Sequence, residues 1–171
     1  SLDGTKKIAE IVKQLRNFSH SSGQDRSYID VNDCIHNTLK LLTNETKYKS
    51  NIVTELAELP LLYANSGELS QVILNLIMNA NQAIEDKGNI QIRTLHEDSE
   101  LVIEVADDGP GIDSEVIENI FDPFFTTKEA GKGTGLGLSI VNTIIESFGG
   151  KIYVESEAGH GTVFTIRLPT D

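Results

Sequence analysis

Between Ser66 and Asp86 the chain reads SGELSQVILNLIMNANQAIED, and apolar residues occupy nearly the whole circumference of a helix: Leu69, Val72, Ile73, Leu74, Leu76, Ile77, Met78, Ala80, Ala83 and Ile84. One stripe breaks the pattern. Glu68, Gln71, Asn75, Asn79, Gln82 and Asp86 follow at spacings of three or four and so share a face. A helix that is apolar over most of its surface is buried over most of it. The stripe therefore either meets water or walls an internal site. Asn is a poor mid-helix residue that prefers caps and turns, so two of them one turn apart point to a use.

The remaining pattern supplies the other elements. Ile8, Ile11, Val12, Leu15 and Phe18 fall on one face of a helix over 5–18, followed by the polar linker SHSSGQD. A short strand is expected over Tyr28 to Val31, then a helix capped by Asn32 or Asp33 and running to about Leu42. Ile52 to Leu59 alternates as a strand up to Pro60, and Leu61 to Ala64 is extended. Asn65 caps the apolar helix with Glu68 at the capping-box position, and Lys87-Gly88 closes it. A hairpin follows, Asn89–His96 with Glu100–Ala106, turning through Glu97, Asp98 and Ser99. A short helix is expected from Ser114 to Asn119 and a longer one from Leu136 to Phe148, closed by Gly149-Gly150. Lys151–Ser156 and Thr162–Leu168 form a second hairpin. This order predicts an α+β fold, a two-layer α/β sandwich whose mixed, mostly antiparallel sheet carries its helices on one face.

With 171 residues the chain fits one domain with a sizeable core and a short appendage, here divided into 1–24 and 25–171. A net charge of −12 argues against a nucleic-acid backbone or an anionic membrane as partner, and requires any anionic ligand to be held by local donors and a metal. The single Cys34 excludes an internal disulfide and a cysteine-based zinc site, and fits a reducing, cytoplasmic compartment. No apolar run approaches a membrane span. Membrane attachment of a longer parent is left open.

Three glycine-rich turns carry candidate chemistry. Asp107 ends a strand just ahead of Gly109, Pro110, Gly111 and Ile112, where glycine permits close backbone approach to a ligand and the carboxylate can accept from an exocyclic amine. Gly131 to Leu138, GKGTGLGL, runs straight into a helix, so its unhindered N–H groups make an anion cradle aided by the helix dipole. It is not a Walker loop, for no GK[ST] stands at the required spacing. Gly159-His160-Gly161-Thr162 is unremarkable alone.

Taken in order, these stretches resemble the ATP-binding domain of the family that contains sensor histidine kinases, DNA gyrase, the heat-shock chaperone ATPases and the mismatch-repair ATPases. Asn75 and Asn79 in NLIMNANQA resemble its Asn box, Asp107–Ile112 and Gly133–Leu138 two of its Gly boxes, Phe121–Phe125 the Phe box of the kinase branch, and Gly159–Thr162 a final Gly box. The match spans roughly residues 27–169. FDPFFTTK followed by GTGLGLSIV is similar to nitrogen-regulatory-type sensor histidine kinases. The resemblance implies that Asn79 gives a carbonyl oxygen to Mg²⁺, with Asn75 beside it near the phosphates of ATP. Asp107 would bind the adenine amino group, Gly111 would let the base approach, and Thr162 would help through a water. Gly133, Gly135, Leu136 and Gly137 would offer N–H groups to the phosphates. Gly109, Ile112, Phe125, Thr126, Thr127, Thr134 and Leu138 complete the nucleotide-contacting set, and residues 126–134 would form a lid.

Two departures shift the catalytic charge. Many sensor kinases carry a basic residue where this chain has Gln82, and Arg where it has Thr126 and Thr127. The resemblance then leaves Lys128 or Lys132 to meet the γ-phosphate. Gyrase-type and chaperone-type members carry a water-activating Glu where this chain has Asn75, which favours a kinase over an ATPase. The acceptor histidine is expected on an upstream dimerisation helix rather than at His20, His36, His96 or His160. The helix at 5–18 resembles the second helix of the dimerisation hairpin. Expected partners are that dimerisation domain, a second copy in the full-length protein and a response regulator receiver domain. A nucleotide-sensing module without phosphoryl transfer and a protein-serine kinase of the anti-sigma type are the alternative readings.

Overall fold

A computed structural model describes residues 25–127 and 135–170, together with Thr5, Lys6, Ala9, Val12 and Lys13, which are helical and exposed. The rest of the helix expected over 5–18, and the linker after it, lie outside the described residues. The elements are β1 (Ser27–Ile29), α1 (Val31–Leu41), α2 (Thr43–Thr46), β2 (Ser50–Leu56), β3 (Leu62–Ala64), α3 (Ser66–Ala83), β4 (Gly88–Glu97), β5 (Glu100–Asp107), a 3-10 turn (Ile117–Asn119), α4 (Gly137–Ser147), β6 (Lys151–Ser156) and β7 (Thr162–Pro169).

Five strands form one sheet in the order β2-β4-β5-β7-β6, while β1 and β3 pair separately. Only β2 and β4 run parallel, and α3 lies in the crossover that such a pair requires. Alternation sends Ile90 and Ile92 of β4, Leu101, Ile103 and Val105 of β5, and Phe164, Ile166 and Leu168 of β7 to one face, where all are buried. Against them pack Leu69, Val72, Ile73, Leu76 and Ile77 of α3 and Ile140, Val141, Ile144 and Ile145 of α4. Each fully buried Leu or Ile contributes about 1.5–3 kcal/mol. The opposite face keeps a charge ladder, Glu55–Arg93–Glu104, at 3.1 and 3.2 Å. This is the two-layer α+β sheet with helices on one face that the sequence predicts.

Boundaries differ where side chains found other partners. Val31 is not strand but the first residue of α1, because Asp30 rather than Asn32 or Asp33 is the cap; its Oδ1 accepts from the Asp33 N–H at 3.1 Å. Asn32 instead donates to the Ala57 carbonyl and accepts from Thr94, which pins the chain just past β2 and ends that strand at Leu56, short of Leu59. Asn65 caps α3 as expected, accepting from Glu68 N–H at 2.9 Å, a contact worth about 1 kcal/mol. The helix stops at Ala83, so Asp86 is not on the stripe. Ile84 leaves it in an extended conformation and is buried. Gly88 is therefore no helix stop. It opens β4, and a Cβ there would sit 2.5 Å from Asp108 Oδ1. The turn between β4 and β5 uses Asp98 and Ser99, both at positive φ, as a two-residue mirror-image turn. The helix expected over Ser114 to Asn119 is reduced to the 3-10 turn.

Arg26 ties the entering chain to the far end of α4. Its Nη2 donates to the Ser147 carbonyl at 2.8 Å and its guanidinium lies 5.5 Å from the Phe148 ring centre. Among the described residues no helix is long and apolar enough to cross a membrane.

Candidate functional site

Over its middle the polar stripe of α3 is neither core nor open surface: Gln71, Asn75 and Asn79 are half-buried, and only beyond them is Gln82 exposed. At one end of it stands the N-terminus of α4. Gly137 faces Asn75, whose Nδ2 lies 3.5 Å from the Gly137 carbonyl, and Gln71 Nε2 lies 3.4 Å from Asn75 Oδ1. Both distances are at the long end for hydrogen bonds, so the Asn75 amide is weakly held. At the other end stands the loop after β5. A Cβ on Gly109 would meet the Ala83 carbonyl at 3.1 Å, so this loop packs on the last turn of α3. Asn79 sits between the two, one turn from Asn75. The trough from Asn75 to Ala83 is about 12 Å long, from the helical rise over that span.

Asp107 closes β5 and is buried. Its Oδ1 accepts from the Gly109 N–H at 2.9 Å. Burial pushes its carboxyl pKa up; the Gly109 bond opposes this and the neighbouring Asp108 charge adds to it. Asp108 is the contrasting group. It turns outward and accepts from both the backbone and the side-chain amide of Asn89 at 2.8 Å, which hold its carboxyl below the usual range. Register pairs Asp107 with Thr162 across β5 and β7, placing both on the helix-side face. Thr162 is buried as well.

The first and last glycine turns meet here. Gly111 has φ of 78°, and a Cβ on it would lie 2.2 Å from the Glu157 carbonyl. Gly161 has φ of 84°, and a Cβ would lie 2.0 Å from the Asp107 carbonyl. Gly159 N–H donates to the Pro110 carbonyl at 2.6 Å. The last Gly turn, unremarkable in sequence, is thus the support of the first. Ile112 donates through its N–H to Ser156 Oγ at 2.7 Å. Phe121 packs edge-on against Phe164 and Phe125 against the core, while Phe124 is exposed at positive φ. Phe124 N–H donates to the Gly135 carbonyl at 2.8 Å.

The structure therefore brings together Asn75, Asn79, Gly135, Leu136 and Gly137 at one end and Asp107, Gly109, Gly111, Ile112 and Thr162 at the other. Leu136 is buried at the start of α4 and Leu138 half-buried beside it. Thr126 is half-buried and Thr127 exposed. Lys128, Lys132, Gly133 and Thr134 lie outside the described residues, as does most of the expected lid. Sequence reasoning missed Ser156. The hairpin register sets it opposite Thr162, but nothing in its local pattern marks it. Asn81, in the same Asn-rich run, belongs to a different face. It is buried, accepts from Ser50 Oγ at 2.6 Å and donates to the Glu45 carbonyl at 3.3 Å.

A family model described as the histidine kinase-, DNA gyrase B- and HSP90-like ATPase matches residues 64–171. The chain belongs to that family. It is similar to the sensor kinase CckA of Brucella abortus, 38% identical over 95% of this chain and 19% of the relative. It is also similar to the sensory histidine kinase/phosphatase NtrB of Rhodobacter capsulatus, 32% identical over 98% of this chain and 50% of the relative. The chain thus spans half or less of the length of these relatives. Its fold matches the catalytic domain of histidine kinase ThkA with a TM-score of 0.77, at 33% identity over 86% of this chain and 97% of that one. ThkA in complex with the response regulator protein TrrA matches with a TM-score of 0.79, at 28% identity over 98% of this chain and 49% of that one. Within the ATPase family, then, this is a histidine kinase catalytic domain.

Proposed function

We propose that the chain binds ATP along the α3 trough and passes its γ-phosphoryl group to a histidine on a separate dimerisation segment. The observation that carries this reading is the polar stripe of α3 held between an anion-receptive helix start and a buried carboxylate. Asp107 accepts from the adenine amino group, Gly111 and Gly109 leave room for the base, and Thr162 assists through a water. Ile112 borders the base. Gly135, Leu136 and Gly137 direct N–H groups to the phosphates, joined by Gly133 and Thr134. Leu138, Phe125, Thr126 and Thr127 border the nucleotide on the lid side, and Lys128 or Lys132 meets the γ-phosphate.

Mg²⁺ fits the donor set. Asn79 is half-buried, its amide has no hydrogen-bond partner among the described residues, and it presents a neutral hard oxygen. Among the described residues no cluster of three His, Cys, Asp or Glu could hold a metal alone. Asn79 would then be one ligand, with phosphate oxygens and waters as the others, the usual manner for this ion. When bound, Mg²⁺ neutralises phosphate charge.

Asn75 has no basic lone pair, so this chain holds the phosphate chain in place without activating water. The nucleophile is a neutral imidazole nitrogen, which brings its own lone pair. His36, His96 and His160 are exposed and lie on α1, at the end of β4 and in the turn before β7. None stands at the trough, and His20 lies outside the described residues. We place residues 1–24 as the end of the dimerisation helix and its linker, the domain in the cytoplasm, and the parent as a homodimer serving a response regulator receiver domain. The ThkA–TrrA complex supports that last partner.

Calorimetric titration of the chain with ATP and GTP, with Mg²⁺ and with chelator, tests the reading. Mg²⁺-dependent binding with ATP preferred is expected. Equal affinity for both nucleotides, or no binding of either, would overturn it.

A further inference from the structure

One hydroxyl at the base end of the trough has every hydrogen bond it can make. Ser156 Oγ accepts from the Ile112 N–H at 2.7 Å, donates to the Gly161 carbonyl at 2.8 Å and contacts Thr162 Oγ1 at 2.9 Å. A serine hydroxyl offers one proton and two lone pairs. Gly161 is buried, and an unmet buried carbonyl is costly, so the single Ser156 proton goes there. The Ile112 N–H takes one lone pair. The proton between Ser156 and Thr162 must then come from Thr162.

This fixes the sense of the Thr162 hydroxyl. With its proton spent on Ser156, Thr162 Oγ1 can only accept from anything in the trough, and a water that donates to it and to Asp107 is left only lone pairs for the base. Asp107, its cross-strand partner, also accepts when ionised. We propose that Ser156 is a positioning residue whose hydroxyl locks Thr162 as an acceptor, so that the base end of the site reads a purine only by an amino donor. Ser156 needs no contact with the nucleotide to do this. It also joins two turns and a strand at one atom: the turn after β5 through Ile112, the turn before β7 through Gly161, and β7 itself through Thr162.

The inference rests on the proposed nucleotide reading and makes a separable claim. In Ser156→Ala the Thr162 proton is freed and can rotate toward the trough, where it donates to the water and so frees a water proton for a 6-oxo group. The ratio of ATP to inosine triphosphate affinity should fall about tenfold, the effect of one hydrogen bond of altered sense. A merely structural loss would weaken both nucleotides together and leave the ratio unchanged. Thr162→Val, which keeps the shape and removes the hydroxyl, should lower the ratio on its own and make Ser156→Ala without further effect on it.

Competition titration of ATP and inosine triphosphate on the wild type, the two single variants and the double variant decides the matter. An unchanged ratio in folded Ser156→Ala, in Thr162→Val, or additive losses in the double variant would overturn the positioning role. Were Ser156→Ala not to fold, Thr162→Val alone still decides whether the hydroxyl is read. A wild type that binds neither nucleotide would instead refute the reading on which this inference stands.

Discussion

Phe124 and Gly135 are joined across the segment between them: the Phe124 N–H donates to the Gly135 carbonyl at 2.8 Å, and both residues sit at positive φ, 66° and 74°. A Cβ on Gly135 would lie 2.2 Å from the Phe124 carbonyl carbon. Only glycine fits at that point, and the contact fixes the chain just ahead of α4.

Gly135→Ala should therefore displace the start of α4 without unfolding the sheet. The left-handed conformation alone costs an ordinary residue about 1–2 kcal/mol, and the overlap with Phe124 adds to it. We expect ATP affinity to fall by more than about tenfold, with the far-ultraviolet circular dichroism unchanged. Calorimetry beside a thermal melt checks this. Undiminished affinity would show that the Phe124–Gly135 junction does not position the N–H groups proposed to bind phosphate.

The burial of Asp107 carries a cost. Burial raises its folded pKa above the unfolded value, so the folded state holds its proton to higher pH. The stability attached to it is full below the unfolded pKa and is lost as pH rises through the folded one. Asp107→Asn removes that titration and can keep the acceptor for Gly109. The variant should melt above the wild type at neutral pH, with the gap closing below the ordinary carboxylate range. Its ATP affinity should drop by about 1.5–3 kcal/mol, the worth of a charged hydrogen bond. Melts at two pH values read the first claim and titration the second. A lower melting point at neutral pH, or intact affinity, contradicts the corresponding half.

Asn79 and Asn81 separate function from structure within one run of sequence. Asn81→Ala leaves Ser50 Oγ and the Glu45 carbonyl without their partner and should cost about 1–3 kcal/mol of stability with little change in nucleotide affinity. Asn79→Ala should do the reverse: the same melting point, and ATP binding no longer strengthened by Mg²⁺. Denaturant titration and calorimetry on the pair check this. Matching behaviour of the two variants would erase the distinction.

Much of this was legible in the chain, and the exceptions have physical reasons. Long periodic segments such as α3, α4 and both hairpins announce themselves because burial demands one period throughout. The ends do not, since each is set by a single side chain choosing among partners. Asn32 could cap a helix or hold Ala57, and the nearby Thr94 decided it. Gly88 read as a helix stop, but its smallness serves Asp108 instead. Asn75, Asn79, Asp107 and Gly111, which we propose face the nucleotide, stood out because each breaks its local pattern. Ser156 did not, for a serine at the end of a hairpin strand breaks none, and its importance appears only when Ile112, Gly161 and Thr162 converge on it.

The central claim is that this chain supplies the ATP site and another segment supplies the histidine. Incubation with γ-labelled ATP, first alone and then with a purified dimerisation hairpin carrying a histidine, tests it most directly. Alone, the chain should bind ATP yet show little self-labelling and only slow hydrolysis. With the hairpin present, acid-labile phosphate should appear on the hairpin histidine. Robust labelling of His20, His36, His96 or His160 in the chain alone, or none on the hairpin, would contradict the account.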